Sequence, residues 1–254
     1  MPTPTTTTPT LTLTHDLNPT QHLQRWLEAS ASSRSGVSAW RIGQVVIVQV
    51  PAGHEQNVTD SDARTEGQRF VLMHEVDWSP AVSSYPFPHL RRLSGMEEFR
   101  ELLRWSEDGK FRPLRAAPNL RAGWVLGPLD FAQLIVALRF LYPGAVADWA
   151  LQCQGSLKVT PYEESAGRQT GRFSVVRKLG SERLAELLQD CCASGCSRTP
   201  LWSPFRESGA GTETEAQLSS SGTASDLPRI PLLCAEACNY FISKAREKIL
   251  GRVD

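Results

Sequence analysis

Apolar and polar positions along the chain mark out short ordered segments separated by polar stretches. In 21–30, "QHLQRWLEAS", Leu23, Trp26 and Leu27 recur at helical spacing and predict a short helix with one apolar face. "WRIGQVVIVQV" (40–50) alternates loosely and is rich in Val and Ile, which predicts a strand. The polar loop "GHEQNVTDSDARTEG" separates it from "QRFVLMHEVDW" (68–78), predicted as its antiparallel partner. In "LSGMEEFRELLRWSEDGK", Ser94 and Glu97 stand at capping-box spacing. Met96, Phe99, Leu102 and Leu103 follow as a helical stripe, and Gly109 ends it. "FRPLRAAPNLRAGW" (111–124), broken by prolines and a glycine, reads as irregular.

Asp130 is a good N-cap for "FAQLIVALRFLYP", a helix that stops at Pro143. "GAVADWALQCQG" predicts a second helix, in which Cys153 reads as a buried small hydrophobe. "YEESAGRQTGRFSVVRKLG" predicts a Gly/Arg-rich turn and then a strand over 172–178. Ser181 caps "SERLAELLQDCC", whose Leu184, Leu187 and Leu188 face inward, and Gly195 lets the chain turn after it. "IPLLCAEACNYFISKAREKIL" reads as a C-terminal helix. Two stretches carry no such pattern. Residues 1–20 are Pro/Thr-rich and predict a disordered tail, and the Ser/Gly/Thr/Glu-rich 203–226 predicts a flexible insertion. The expected fold is therefore α+β. A small antiparallel sheet with helices (21–125) precedes a mostly helical, cysteine-rich half (126–254).

Composition narrows the function classes. Lys plus Arg balances Asp plus Glu at 27 each, which gives no basic excess to favour nucleic acid. Arg139, Pro143, Gly144 and Asp148 interrupt the longest apolar run, so no membrane span is expected. The N-terminal residues lack the charged and apolar regions of a secretory signal, which predicts a cytoplasmic, reducing location. Clustered cysteines there point to metal or redox chemistry rather than structural disulfides.

Five of the six cysteines fall in "DCCASGC" (190–196) and "CAEAC" (234–238). On a helix, Cys234 and Cys238 would be i and i+4, with both sulfurs on one face. The positive end of that helix would lower thiol pKa near Cys234. Cys192 and Cys196 repeat the C-x3-C spacing, and Cys191 is an alternative to Cys192. Four thiolates suit either zinc or an iron–sulfur cluster, and the wide spacing fits the bulkier cluster better. Arg198, Arg229, Lys244 and Arg246 lie near the cysteines in sequence, as counter-charges or as a solvated face.

Several stretches together resemble a known family. They are "GKFRPLRAAPNLRAGW", "LYPGAVADW", "TPYEESAGRQTGRF", "CASGCSRTPLW" and "IPLLCAEACNYFISKARE". They are similar to the accessory region of some CbiX-type sirohydrochlorin chelatases, a small stabilising domain followed by a [4Fe–4S]-binding domain. "FVLMHEVDW" looks like a degraded form of that family's "LRHxDD" strand. The resemblance implies a [4Fe–4S] cluster on Cys192, Cys196, Cys234 and Cys238. It also implies a link to siroheme or cobalamin (tetrapyrrole) biosynthesis, beside a separate sirohydrochlorin chelatase or reductase. No early strand carries the chelatases' paired histidines, since His15, His22, His54, His74 and His89 are scattered. Chelatase activity is therefore not carried over, and an accessory iron–sulfur protein is expected. The rival readings are a zinc-stabilised protein-interaction module and an enzyme using its thiols as a redox pair. "GRQTGR" offers Arg168 and Arg172 to an anion but reads first as a structural turn. Arg112, Arg115 and Arg121 form a further basic run, and His74 with Asp77 reads as structural.

Overall fold

The structure is a computed structural model that describes residues 18–31, 38–50, 68–79, 87–105, 120–193, 196, 198–202 and 227–251. The 203–226 insertion and residues 1–17 of the expected tail lie outside them. Helix α1 (Pro19–Ala29) starts inside the stretch expected to be tail. The reason is local. Asn18 and Gln21 exchange side-chain-to-backbone hydrogen bonds in a capping box, and Pro19 presets the first turn.

The run 40–50 is not one strand but a hairpin of β1 (Ala39–Ile42) and β2 (Val45–Val50). Gly43 makes the reversal possible, with φ +54. A Cβ there would lie 2.5 Å from the Tyr142 ring. The Tyr142 hydroxyl in turn accepts the Gln44 backbone N–H at 2.9 Å. As expected, β3 (Arg69–His74) pairs antiparallel with β2. His74 then caps a 3₁₀ turn (Glu75–Asp77) by accepting the Val76 N–H, which fits its structural reading.

Two short strands complete a mixed sheet where an antiparallel one was expected. β4 (Arg91–Leu93) runs parallel to β5 (Trp124–Leu129), and β7 (Arg229–Ile230) runs parallel to β1. The order is β4-β5-β3-β2-β1-β7. Both faces are covered, so alternation in the sequence is weak. Trp40, Ile42, Val45, Ile47, Phe70 and Leu72 join one core. Val46, Val48, Val50, Val71 and Met73 join another on the opposite side.

Helix α2 (Met96–Arg104) has Gly95, not Ser94, as its N-cap residue. Ser94 instead donates its N–H and hydroxyl to Glu98, one residue beyond the expected Glu97. Those bonds and Arg91 hold the Glu98 carboxyl down at about 2. Gly109 lies outside the described residues. Asp130 caps α3 (Phe131–Leu141) as expected, and Gln133 completes a capping box with it. The chain then bends by 101° into α4 (Ala145–Cys153). Cys153 is exposed there rather than buried, because it faces away at the last turn. Among the described residues no single helix is long and apolar enough to cross a membrane.

After α5 (Tyr162–Gly167) the expected strand 172–178 is a 3₁₀ helix (Gly171–Lys178). Arg177 folds back to donate to the Ala166, Gly167 and Gln169 carbonyls, capping α5. Only Val176 of this stretch is fully buried, so it lacks a strand's alternating face. The last elements are α6 (Ser181–Ala193), β6 (Arg198–Pro200), β8 (Leu232–Cys234) and α7 (Asn239–Leu250). The first part of the expected C-terminal helix is thus β7, β8 and a turn. A third core of Tyr162, Val176, Leu184, Leu187, Trp202, Phe241 and Ile242 holds this half together. Ile230 and Leu232 belong to the first core, so the β7–β8 segment joins the two halves.

Candidate functional site

The thiol site is built where β6 and β8 run parallel at the edge of the third core. The register sets Pro200 opposite Cys234 and Arg198 opposite Leu232. Cys196 lies two residues before β6, and Cys234 ends β8. The turn after Cys234 is pinned by backbone bonds from Leu201 to Cys234 (3.0 Å) and from Thr160 to Ala235 (2.8 Å). An ion pair of 2.6 Å between Arg168 and Glu236 ties the same turn to the end of α5. Cys238 is the N-cap residue of α7. Cys191 comes from the last turn of α6 and packs, with Cys234 and Cys238, against the third core.

Cys234 and Cys238 are therefore not one turn apart on a helix face. One ends a strand and the other begins a helix, and the turn between them brings their thiols into a hydrogen bond. This changes which thiol the helix acidifies. Cys238 is held down at about 6, first by the Cys234 thiol and then, against burial, by the Phe241 and Tyr240 backbone N–H groups. Cys234 is pushed up, because it donates to Cys238 and is desolvated. It lies 3.0 Å from the Glu236 carbonyl. The buried indole N–H of Trp202 is close enough to Cys234 to offset this in part.

The second pair is Cys191 and Cys196. A bond from the Cys191 thiol holds Cys196 down at about 6, helped by the Arg198 backbone N–H. The charges on Cys196 and Cys238 repel each other, which places the two pairs at one locus. Three of the four expected ligands, Cys196, Cys234 and Cys238, meet here with Cys191. The side chain of Cys192 lies outside the described residues. Among the described residues no group of three Cys, His, Asp or Glu side chains is gathered tightly enough to hold a single metal ion. Thiolates bind zinc at about 2.3 Å and so crowd within about 4 Å of one another. Four thiolates are also the donor set of a [4Fe–4S] cluster. By donor type the thiols here, two of them acidified on the edge of an apolar core, suit either group.

The other sequence candidates stand apart from this site. His22 packs edge-on against Trp149, where burial lowers its pKa. Arg168 is used by Glu236, and the Arg172 guanidinium lies 5.2 Å from the Phe173 ring, so "GRQTGR" serves structure. Arg112 and Arg115 lie outside the described residues. A surface groove lined by Pro19, Ile135, Arg139, Tyr142 and Val146 contains no cysteine. What the sequence did not single out is Trp202, in "CSRTPLW". It stacks with Tyr162 and meets Phe241 edge-on at 4.9 Å, behind Cys234.

Two family models match adjacent parts of the chain. Residues 154–247 match a "4Fe-4S iron-sulfur cluster binding domain" and residues 39–153 match the "DR2241 stabilising domain". All five clustered cysteines lie in the first of these ranges, and Cys153 lies outside it. The two-part resemblance read from the sequence is met to that extent. Among solved structures, DR2241 of Deinococcus radiodurans is similar over 92% of this chain, with 24% identity and a TM-score of 0.61. It is reported as a multi-domain protein with structural similarity to chelatases and two additional novel domains. The present chain spans 41% of that protein's length, and the likeness speaks for the fold. A search of the curated proteins finds no match.

Proposed function

We propose that the chain carries a [4Fe–4S] cluster on Cys191, Cys196, Cys234 and Cys238. The observation that carries this reading is the meeting of these four thiols, from α6, the β6 approach, β8 and the α7 N-terminus, within a segment matched by a cluster-binding model. It replaces the expected Cys192 by Cys191, whose thiol bonds to Cys196. Such a cluster, when bound, accepts and gives single electrons or ties ligating segments together. This chain's own residues do the rest. The α7 N–H groups and Arg198 favour thiolates, and Trp202, Tyr162 and Phe241 form the apolar wall behind them.

The wider reading is an accessory role, redox or structural, in tetrapyrrole biosynthesis beside a separate sirohydrochlorin chelatase or reductase. Its support is the sequence resemblance and the chelatase-like character reported for DR2241. The test is anaerobic purification after iron-replete expression, with absorption spectra and iron, sulfide and zinc analysis. A brown protein with broad absorption near 400 nm, bleached by dithionite, is expected. One tightly held zinc without colour would favour the interaction module, and a metal-free disulfide form the redox-thiol enzyme. For the wider role, the loaded protein should change the rate of a sirohydrochlorin chelatase or reductase in a mixed assay. No change with either would end that part alone.

A further inference from the structure

We propose that the indole N–H of Trp202 donates a hydrogen bond to a sulfur of the bound cluster beside Cys234, which makes Trp202 a positioning residue that favours the reduced state. This deepens the cluster reading and rests on it. Trp202 is 3% exposed and belongs to the third core. Its ring is held from two sides. It lies nearly parallel to Tyr162, at 25° and 6.1 Å, and meets Phe241 edge-on at 4.9 Å. The backbone fixes its place beside the thiols. Pro200 stands opposite Cys234, and the Leu201 N–H bonds the Cys234 carbonyl at 3.0 Å, so Trp202 follows directly on that bond. Phe241, its edge-on partner, stands in the first turn of α7, which Cys238 opens as N-cap. Cys191, Cys234 and Cys238 pack against the same core.

Within this arrangement the Trp202 Nε1 is buried and has no hydrogen-bond partner. Among the described residues it is the one buried side-chain N–H of the third core left in that state. The hydroxyl of the stacked Tyr162 is bonded to the Val176 carbonyl at 2.8 Å instead. A buried donor without an acceptor is rare in folded proteins, and an indole can only donate. The acceptor it calls for is one that the protein's own N and O atoms do not supply. Thiolates and inorganic sulfides are acceptors of that kind, and hydrogen bonds to them help to set a cluster's potential. One electron from an external reductant such as dithionite adds one negative charge, with no bond made or broken. A fixed N–H directed at a sulfur stabilises that added charge, because hydrogen bonds to charged acceptors are the stronger ones.

The experiment is a mediated redox titration of the loaded protein under anaerobic conditions, comparing wild type, Trp202→Phe and Val176→Ala. Trp202→Phe removes the N–H and should shift the reduction equilibrium against the reduced state by about three- to tenfold, equivalent to about 28–59 mV for one electron. Val176→Ala loosens the same core at a fully buried position without removing a donor, and its potential should stay at the wild-type value. A Trp202→Phe potential equal to wild type, or an equal shift in both variants, would overturn the proposal. If Trp202→Phe takes up no iron, proton NMR of the wild-type indole N–H groups decides. The Trp202 signal is assigned by its loss from the spectrum of metal-free Trp202→Phe. On loading, it should move downfield and exchange with solvent more slowly, and an unmoved signal overturns the proposal. Wild-type protein without iron would overturn the cluster reading itself. A loaded wild type that fails these comparisons overturns only the role of Trp202.

Discussion

Replacing Phe241 by Ala should weaken both the third core and the thiol site it supports. Phe241 is fully buried in the first turn of α7. It meets Trp202 edge-on at 4.9 Å and Tyr162 at 6.1 Å. Emptying a buried phenylalanine site costs about 3–5 kcal/mol. The two aromatic contacts, each worth about 0.5–1.5 kcal/mol beyond area, favour the upper half of that range. We expect about 4 kcal/mol for the metal-free protein. Phe241→Leu should cost much less, since most of the volume remains. The backbone N–H of Phe241 also points at Cys238, so a loosened first turn releases that thiolate. Urea denaturation of apo and loaded protein, with iron retention measured in parallel, provides the assay. Phe99→Ala, equally buried but in the first core, is the control and should leave iron retention intact. A Phe241→Ala loss below about 1 kcal/mol, with iron bound as in wild type, would refute the link between this core and the site.

Two further predictions follow from the same geometry. Gly43→Ala should cost about 1–2 kcal/mol for the left-handed backbone and about 1 kcal/mol more as Tyr142 loses its bond to Gln44, read by thermal or urea denaturation. In apo protein, Cys196 and Cys238 should alkylate rapidly at pH 7, each with an apparent pKa of about 6, as followed by iodoacetamide labelling and mass spectrometry. Their depressed values stabilise the fold fully above the unfolded thiol pKa of about 8.5, and that contribution is lost as pH falls through about 6. Cys234, raised, works against stability above about 8.5.

Much of this fold was legible where a local device coincided with an apolar stripe. Asp130 before its apolar helix and the Leu23–Leu27 face are examples, as is the pairing of β2 with β3. The failures have physical causes. Gly43 splits an apolar run that reads as continuous because both sheet faces are covered. β4 and β7 are too short to show a period, yet they turn the sheet from antiparallel to mixed. Arg177 caps α5 through carbonyls that no pattern reveals, and this turns an expected strand into a 3₁₀ helix. At the site, the cysteine groups were visible in the sequence, but Pro231 and the buried pair Leu232 and Leu233 make 232–234 a strand. That moves the helix start to Cys238 and reverses which thiol is acidified. Cys191 is singled out by its bond to Cys196, a partner that only the structure supplies.

The central claim is tested most directly by counting iron and sulfide in anaerobically purified Cys191→Ser and Cys192→Ser proteins beside wild type. Wild type should hold about four irons and four sulfides per chain. Cys191→Ser should lose most of both and the absorption near 400 nm, while Cys192→Ser keeps them. The account is contradicted if Cys192→Ser empties the site while Cys191→Ser remains brown, or if wild type itself carries no iron.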